Sequence, residues 1–229
     1  MKTIGLIGGL TWYSSIDYYR YINEFVNKKL GGDEAGRIIL YSVNYGEIKK
    51  LTHQNNWAAI ADIICNAAIK LQNTGADIIL LGANTMHYIF NNVEKAVSIP
   101  ILHIADATAI EIKNKNLKKV ALLGTKYTMQ FDFFKKRLAQ FGIKTLIPCE
   151  PEIEIINSAI YNELAKGIFL RETKEKFLTV INNLKQHGAE GVILGCTEIP
   201  LLIKQDDCDV PVFDTTLIHA SAAVEFALS

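Results

Sequence analysis

Apolar residues along this chain gather in short unbroken runs. These alternate with longer stretches in which apolar positions recur at helical spacing, and glycines mark most of the joins. Residues 2–7 form the first run, Gly8-Gly9 ends it, and residues 14–29 then read as a helix. A second strand is predicted over 37–43. Over 57–73, Ile60, Ile63, Ile64, Ala67 and Leu71 share one helical face. Residues 77–81 read as a buried strand followed by a helix through Met86 and Ile89, and Pro100 sets an extended entry for 101–104. No run approaches the roughly 20 apolar residues that span a bilayer. Strand and helix in alternation predict α/β architecture with parallel sheets.

The order then begins again. Residues 119–123 with Gly124-Thr125 mirror residues 3–7 with Gly8-Gly9. A helix over 175–187 precedes Gly188-Ala189-Glu190, as the helix over 57–73 precedes Gly75-Ala76-Asp77. Each Gly-Ala-acid turn leads through an apolar strand to a glycine and a small residue eight positions after the opening glycine. That residue is Ala83 in the first copy and Cys196 in the second. Val210-Pro211-Val212-Phe213-Asp214 echoes Ile99-Pro100-Ile101-Leu102-His103. Matches in the same order and spacing indicate duplication: residues 1–98 with 215–229 as an N-terminal lobe, and 99–214 as a C-terminal lobe. The last helix, over 215–228, is expected to pack back on the first lobe.

Composition narrows the class. Hydrophobic residues make up 49%, enough for substantial cores, and 24 basic residues balance 24 acidic ones. No basic stripe suggests nucleic acid. Met1-Lys2-Thr3-Ile4-Gly5 enters a strand at once, without the pattern of a secretory signal. Cys65, Cys149, Cys196 and Cys208 have neither disulfide nor zinc spacing, and the histidines have no metal-ligand spacing. These features predict a cytoplasmic protein with no metal centre and no membrane or nucleic-acid partner.

In open parallel sheets, ligands bind beyond the carboxyl ends of the strands. Four turns fall there: Gly8-Gly9-Leu10-Thr11, Gly82-Ala83-Asn84-Thr85, Gly124-Thr125 and Gly195-Cys196-Thr197-Glu198. Each is expected to open a helix whose N–H groups favour an anion, with Thr11, Asn84, Thr85, Thr125, Thr128 and Thr197 adding hydrogen bonds. A small carboxylate fits. Taken singly, any such turn is equally an ordinary helix cap. Gly5-x-x-Gly8-Gly9 is not a dinucleotide fingerprint and there is no P-loop lysine. A helix N-terminus is expected to lower the pKa of Cys196 and activate it. His87 reads either as a lone histidine or as a residue orienting the Asn84-Thr85 turn. From spacing alone Lys166 is a surface lysine, though it could also reach a second carboxylate.

Gly8-Gly9-Leu10-Thr11-Trp12, Asn84-Thr85-Met86-His87 and Gly195-Cys196-Thr197-Glu198 resemble the aspartate/glutamate racemase family, nearer its aspartate racemase branch. The likeness extends through 103–108 and 213–215. The resemblance implies two similar Rossmann-like lobes with parallel sheets, related by a pseudo-two-fold axis, with the active site between them, in a homodimer. It implies no pyridoxal phosphate, metal or other cofactor. It implies a small dicarboxylic amino-acid substrate, whose Cα proton one cysteine thiolate removes and a second cysteine thiol returns. The substrate-binding set would be Thr11, Asn84, Thr85, Thr125, Lys166, Thr197 and Glu198, with His87 orienting. This chain departs from the pattern at Ala83, which stands where the family places the first cysteine just before Asn-Thr. Cys196 is then the one evident thiol acid/base. Water, His87, Thr11 or Thr85 would have to serve in place of the other.

Three readings follow. The first is a racemase of aspartate and/or glutamate, slow or one-sided. The second is a single-thiol lyase that protonates an enediolate after decarboxylation of a small diacid. The third is a carboxylate-binding homologue with impaired catalysis.

Overall fold

A computed structural model describes residues Met1–Ser229. In chain order the elements of the first half are β1 (Ile4–Gly8), α1 (Trp12–Leu30), β2 (Ile38–Ser42), α2 (Tyr45–His53), α3 (Trp57–Asn73), β3 (Ile78–Leu81), a 3-10 turn (Thr85–Ile89), α4 (Phe90–Ala96) and β4 (Ile101–Leu102). There follow α5 (Ile104–Asn114), β5 (Lys119–Gly124), α6 (Lys126–Gln130), α7 (Asp132–Gln140), β6 (Lys144–Leu146), α8 (Glu150–Asn162), a 3-10 turn (Leu164–Lys166), α9 (Arg171–Gln186) and β7 (Val192–Gly195). The chain closes with α10 (Ile199–Leu202), a 3-10 turn (Gln205–Asp207), β8 (Val212–Asp214) and α11 (Thr215–Leu228).

The strands form two four-stranded sheets of the same order, β2-β1-β3-β4 and β6-β5-β7-β8, parallel throughout. Two compact units result: Met1–Ile104 with His219–Ser229, and Ala105–Ile218. The sequence places residues 99–214 together in the second lobe. In the structure β4 pairs with β3 through Ile79–Ile101 and Leu80–Leu102, so this strand belongs to the first sheet.

In the first unit the β-strand alternation sorts residues onto two faces. Ile4 and Leu6 of β1 and Ile78 and Leu80 of β3 pack with Tyr18, Ile22 and Val26 of α1 and with Ala220, Ala223, Val224 and Ala227 of α11. Ile7, Ile79 and Leu81 turn the other way, onto Ile60, Ile64, Ala67 and Leu71 of α3. At roughly 1.5–3 kcal/mol for each large buried apolar side chain, these two layers dominate the unit's stability. In the second unit Leu123, Val192 and Leu194 meet Ile153, Ile156 and Ile160 of α8 and Phe177, Val180, Ile181 and Leu184 of α9.

The repeated Gly-Ala-acid turn has one mechanical job in both units. Gly75 and Gly188 lie in the left-handed region, at φ 97° and 92°, and end α3 and α9. Ala76 and Ala189 are buried, and their N–H groups donate to Leu71 O and Leu184 O. The acid then clasps the start of the neighbouring strand. Asp77 Oδ2 accepts the Thr3 N–H at 2.6 Å, and Glu190 Oε2 accepts the Lys118 and Lys119 N–H groups at 2.7 and 3.0 Å.

Gly9, just past β1, needs its positive φ of 73°. Its N–H donates to Ser15 Oγ at 2.8 Å, and a Cβ there would run into the Val43 carbonyl. Gly9→Ala is expected to destabilise the fold by at least about 2 kcal/mol. A urea midpoint unchanged from the parent would contradict this.

Candidate active site

A sheet ordered 2-1-3-4 changes winding direction between its first and third strands, and ligands bind in that crevice. The rule selects the ends of β1 and β3 in the first unit and of β5 and β7 in the second. These are the same four turns singled out in the sequence. The strands close together there: an added Cβ at Gly82 would lie 2.8 Å from Ile7 O, and one at Gly124 would lie 2.7 Å from Gly195 O. Glycine at these positions lets neighbouring strands meet at the crevice. The helices that follow differ from the sequence expectation. Only α1 is long. A 3-10 turn follows Asn84, α6 has five residues and α10 has four.

In the first unit Thr11 caps α1 by accepting the Ser14 N–H at 3.4 Å. Asn84 is buried, 3% exposed, and Thr85 opens the 3-10 turn. His87 is 1% exposed, and both ring nitrogens face backbone. The Ile104 N–H donates to Nε2 at 3.2 Å, so Nε2 carries no proton. Nδ1–H therefore donates to Ala83 O at 3.1 Å, with Asn84 O at 3.3 Å. Both ring nitrogens of His87 are thus engaged with backbone, Nδ1 with the Ala83–Asn84 turn and Nε2 with Ile104.

Two residues that the sequence reading passed over complete this end. Ser14 Oγ donates to Gly82 O at 2.6 Å, and Ser15 Oγ donates to Thr11 O at 3.3 Å. Both are buried in the first turn of α1. The only sequence signal was a pair of serines directly after the Gly-Gly-Leu-Thr turn.

Behind the turn lie two more buried imidazoles. The rings of His87 and His103 stand 4.6 Å apart, and those of His87 and His219 5.7 Å apart. Tyr18 OH donates to His219 Nδ1 at 2.8 Å, and His219 Nε2–H donates to Leu102 O at 3.0 Å. Burial pushes His219 down to about 3, and His87 adds to the effect. These rings do not form a metal-binding group.

In the second unit Thr125 caps α6, accepting the Thr128 N–H at 3.3 Å, and its hydroxyl lies 3.2 Å from Thr128 Oγ1. Cys196 is 8% exposed, Thr197 8% and Glu198 4%. Cys196 Sγ–H donates to Glu198 Oε2 at 2.9 Å, and Thr197 Oγ1–H donates to the same oxygen at 2.8 Å. The sequence predicts a Cys196 thiol lowered by a helix N-terminus. The structure reverses the direction: burial pushes the thiol well above its ordinary value, and the Glu198 carboxylate adds to this through its charge and its hydrogen bond. The backbone N–H contribution is smaller because α10 is a single turn that begins only at Ile199. Glu198, expected to bind substrate, accepts hydrogen bonds from both Cys196 and Thr197 through one carboxylate oxygen.

Lys166 is exposed and makes no ion pair. Its 3-10 turn packs against α10, and Leu164 shares a core with Cys196, Ile199 and Leu202, so the lysine stands on the element next to the thiol turn. No helix is long and apolar enough to cross a membrane.

Two Rossmann-like units, each with glycine-lined strand ends and one with a thiol beside a carboxylate, define a small-molecule enzyme class without a nucleotide fingerprint. Residues 7–223 match the Asp/Glu/hydantoin racemase model, and the chain belongs to that family, whose named activity is that of isomerases. A candidate Asp/Glu racemase from Yersinia pestis is 46% identical, with a TM-score of 0.94 and full coverage of both chains. An aspartate racemase homologue from Pyrococcus horikoshii is 40% identical, with a TM-score of 0.88 and full coverage of both. A broad-specificity amino-acid racemase of Bacillus subtilis is 25% identical over 99% of this chain and 98% of its own length.

Proposed function

We propose that this chain is a cofactor-independent amino-acid racemase acting on aspartate and/or glutamate, in which Cys196 moves the Cα proton on one face. The observation that carries this reading is the buried Cys196–Glu198 pair at the carboxyl end of β7. A protonated thiol is equipped to deliver a proton to a carbanion. To remove one it must first become thiolate, and Glu198 is placed to accept its proton. The transfer leaves a thiolate beside a carboxylic acid, much the stronger acid of the two, so the proton tends back to sulfur and the pair should return protons more readily than it abstracts them. Ala83 offers no proton at the matching strand end. Asn84, Thr85, Thr125 and Thr197 supply donors for carboxylate charge as it grows in the transition state. Lys166 supplies a point charge for a second carboxylate. The reading extends to a homodimer in the cytoplasm.

The test is incubation with L-Asp, D-Asp, L-Glu and D-Glu in D2O, following Cα deuterium and optical rotation. Exchange faster than racemisation is expected for at least one of the four, because one face is served better than the other. No exchange from any would reject the proposal. Ala83→Cys, run beside the parent, is expected to raise racemisation relative to exchange.

The raised Cys196 thiol also favours a second reading. Protonation of an enediolate after decarboxylation of a substituted malonate needs one protonated thiol and nothing at position 83. Release of CO2 without Cα exchange of amino acids would select it.

A further inference from the structure

The geometry points to Ser14 and His87 as positioning residues for the Ala83–Asn84 turn, fixing two peptide planes so that the Ala83 N–H is held ready for a substrate carboxylate. This rests on the carboxylate-binding reading above and names the part that position 83 plays in it. Both side chains are buried, 2% and 1% exposed, so they act through the turn.

The argument is one of peptide geometry. In a trans peptide the C=O and the following N–H point in opposite directions. Ser14 Oγ holds Gly82 O from the side of α1 at 2.6 Å, so the Ala83 N–H points away from α1. His87 Nδ1–H holds Ala83 O at 3.1 Å, which sets the next plane. His87 is itself fixed by the Ile104 N–H on Nε2, so its donor cannot turn elsewhere. The Ala83 N–H makes no hydrogen bond within the protein, although the residue is half-buried beyond the end of β3. A backbone donor kept unused in such a place is available for a ligand acceptor.

Ser14 departs from ordinary helix behaviour in the same sense. A serine in the first helical turn commonly bonds to backbone close to it in the chain, as Ser15 Oγ does to Thr11 O. The Ser14 hydroxyl reaches 68 positions along the chain to the strand-end peptide. The alanine at position 83 then contributes a backbone donor, whose grip on a carboxylate strengthens as charge moves onto it from Cα.

The experiment compares Ser14→Ala and Ser14→Thr, and His87→Leu and His87→Asn, in the D2O exchange assay at saturating amino acid, with circular dichroism confirming the fold. Threonine keeps the hydroxyl, and asparagine keeps an N–H near the place of Nδ1. Expected results are a kcat for exchange about 10- to 100-fold lower in Ser14→Ala and His87→Leu, and recovery in Ser14→Thr and His87→Asn to within about threefold of the parent. A structural role alone would lower the melting temperature without this loss of turnover in the folded variants. Ser14→Ala at the parent rate, or Ser14→Thr no better than Ser14→Ala, overturns the inference. Ser14→Cys, a weaker donor of similar size, takes the place of Ser14→Ala if that variant does not fold. If the parent shows no exchange, the racemase proposal has failed, and this inference is then read from succinate affinity by calorimetry. About tenfold weaker binding in the Ser14 variant supports it; equal affinity, or no binding by the parent, overturns it.

Discussion

Cys196→Ser is expected to lower Cα hydrogen exchange by about 10²- to 10⁴-fold, the range that one acid/base group supplies. The serine hydroxyl keeps the size and the contact with Glu198 but is far less acidic than a thiol. The sharper experiment is Glu198→Gln. Glutamine removes the negative charge beside the thiol and, with it, the carboxylate proposed to accept its proton. Two consequences follow in opposite directions. The Cys196 pKa should fall, because the charge and hydrogen bond of Glu198 both help to raise it. Alkylation of this thiol by iodoacetamide should therefore begin at lower pH in the variant than in the parent. Exchange at pH 7–8 should nevertheless drop by at least about 10²-fold, since the thiol has lost its base. Alkylation that rises while exchange is undiminished would show that Glu198 only depresses reactivity. An unchanged alkylation profile would show that Glu198 does not govern the thiol.

Acid is expected to unfold this protein through His219. An unfolded histidine titrates near 6.5, whereas the buried ring titrates near 3. Between these values the unfolded chain binds a proton that the folded chain refuses. Stability is therefore fully present above pH 6.5 and falls as pH drops toward 3. By pH 3 the loss from this one group is on the order of 4 kcal/mol, and by pH 5 about 2 kcal/mol. Protonation would break the acceptor role of Nδ1 toward Tyr18 and place charge beside His87. Urea unfolding of the parent and of His219→Gln at pH 7.5 and pH 5 isolates the effect. The variant should start less stable and lose about 2 kcal/mol less on acidification. Equal losses in both proteins would assign the acid sensitivity elsewhere.

Much of the fold was legible because the signals were local and repeated. The helix over 57–73 has the bounds of α3: Asn56 caps its start, and the left-handed Gly75 follows its end. The helix over 215–228 has the bounds of α11, and its Ala220, Ala223, Val224 and Ala227 pack with β1 and α1. The strand ends were legible because the glycines needed for close strand approach also mark the crevice. The chemistry at those ends was less legible. A Gly-Cys-Thr-Glu string does not show that Glu198 folds back two residues to accept the thiol's hydrogen bond, nor that α10 is a single turn. Ser14 acts on a peptide 68 positions away, and His219 meets Tyr18 from 201 positions away. Neither contact leaves a local trace, because it exists only after the sheet has brought the segments together.

The acid clasps bear on how such a protein can change. Asp77 secures the start of β1, and Glu190 secures the start of β5, each within its own unit and at the sheet end remote from the strand-end glycines. Assembly of each half is thereby entrusted to one end of the strands and reactivity to the other. Under that division of labour a residue such as the one at position 83 can drift between thiol and methyl while the scaffold beneath it stays the same. Each copy is free to vary at its glycine-lined end without disturbing how its sheet is started.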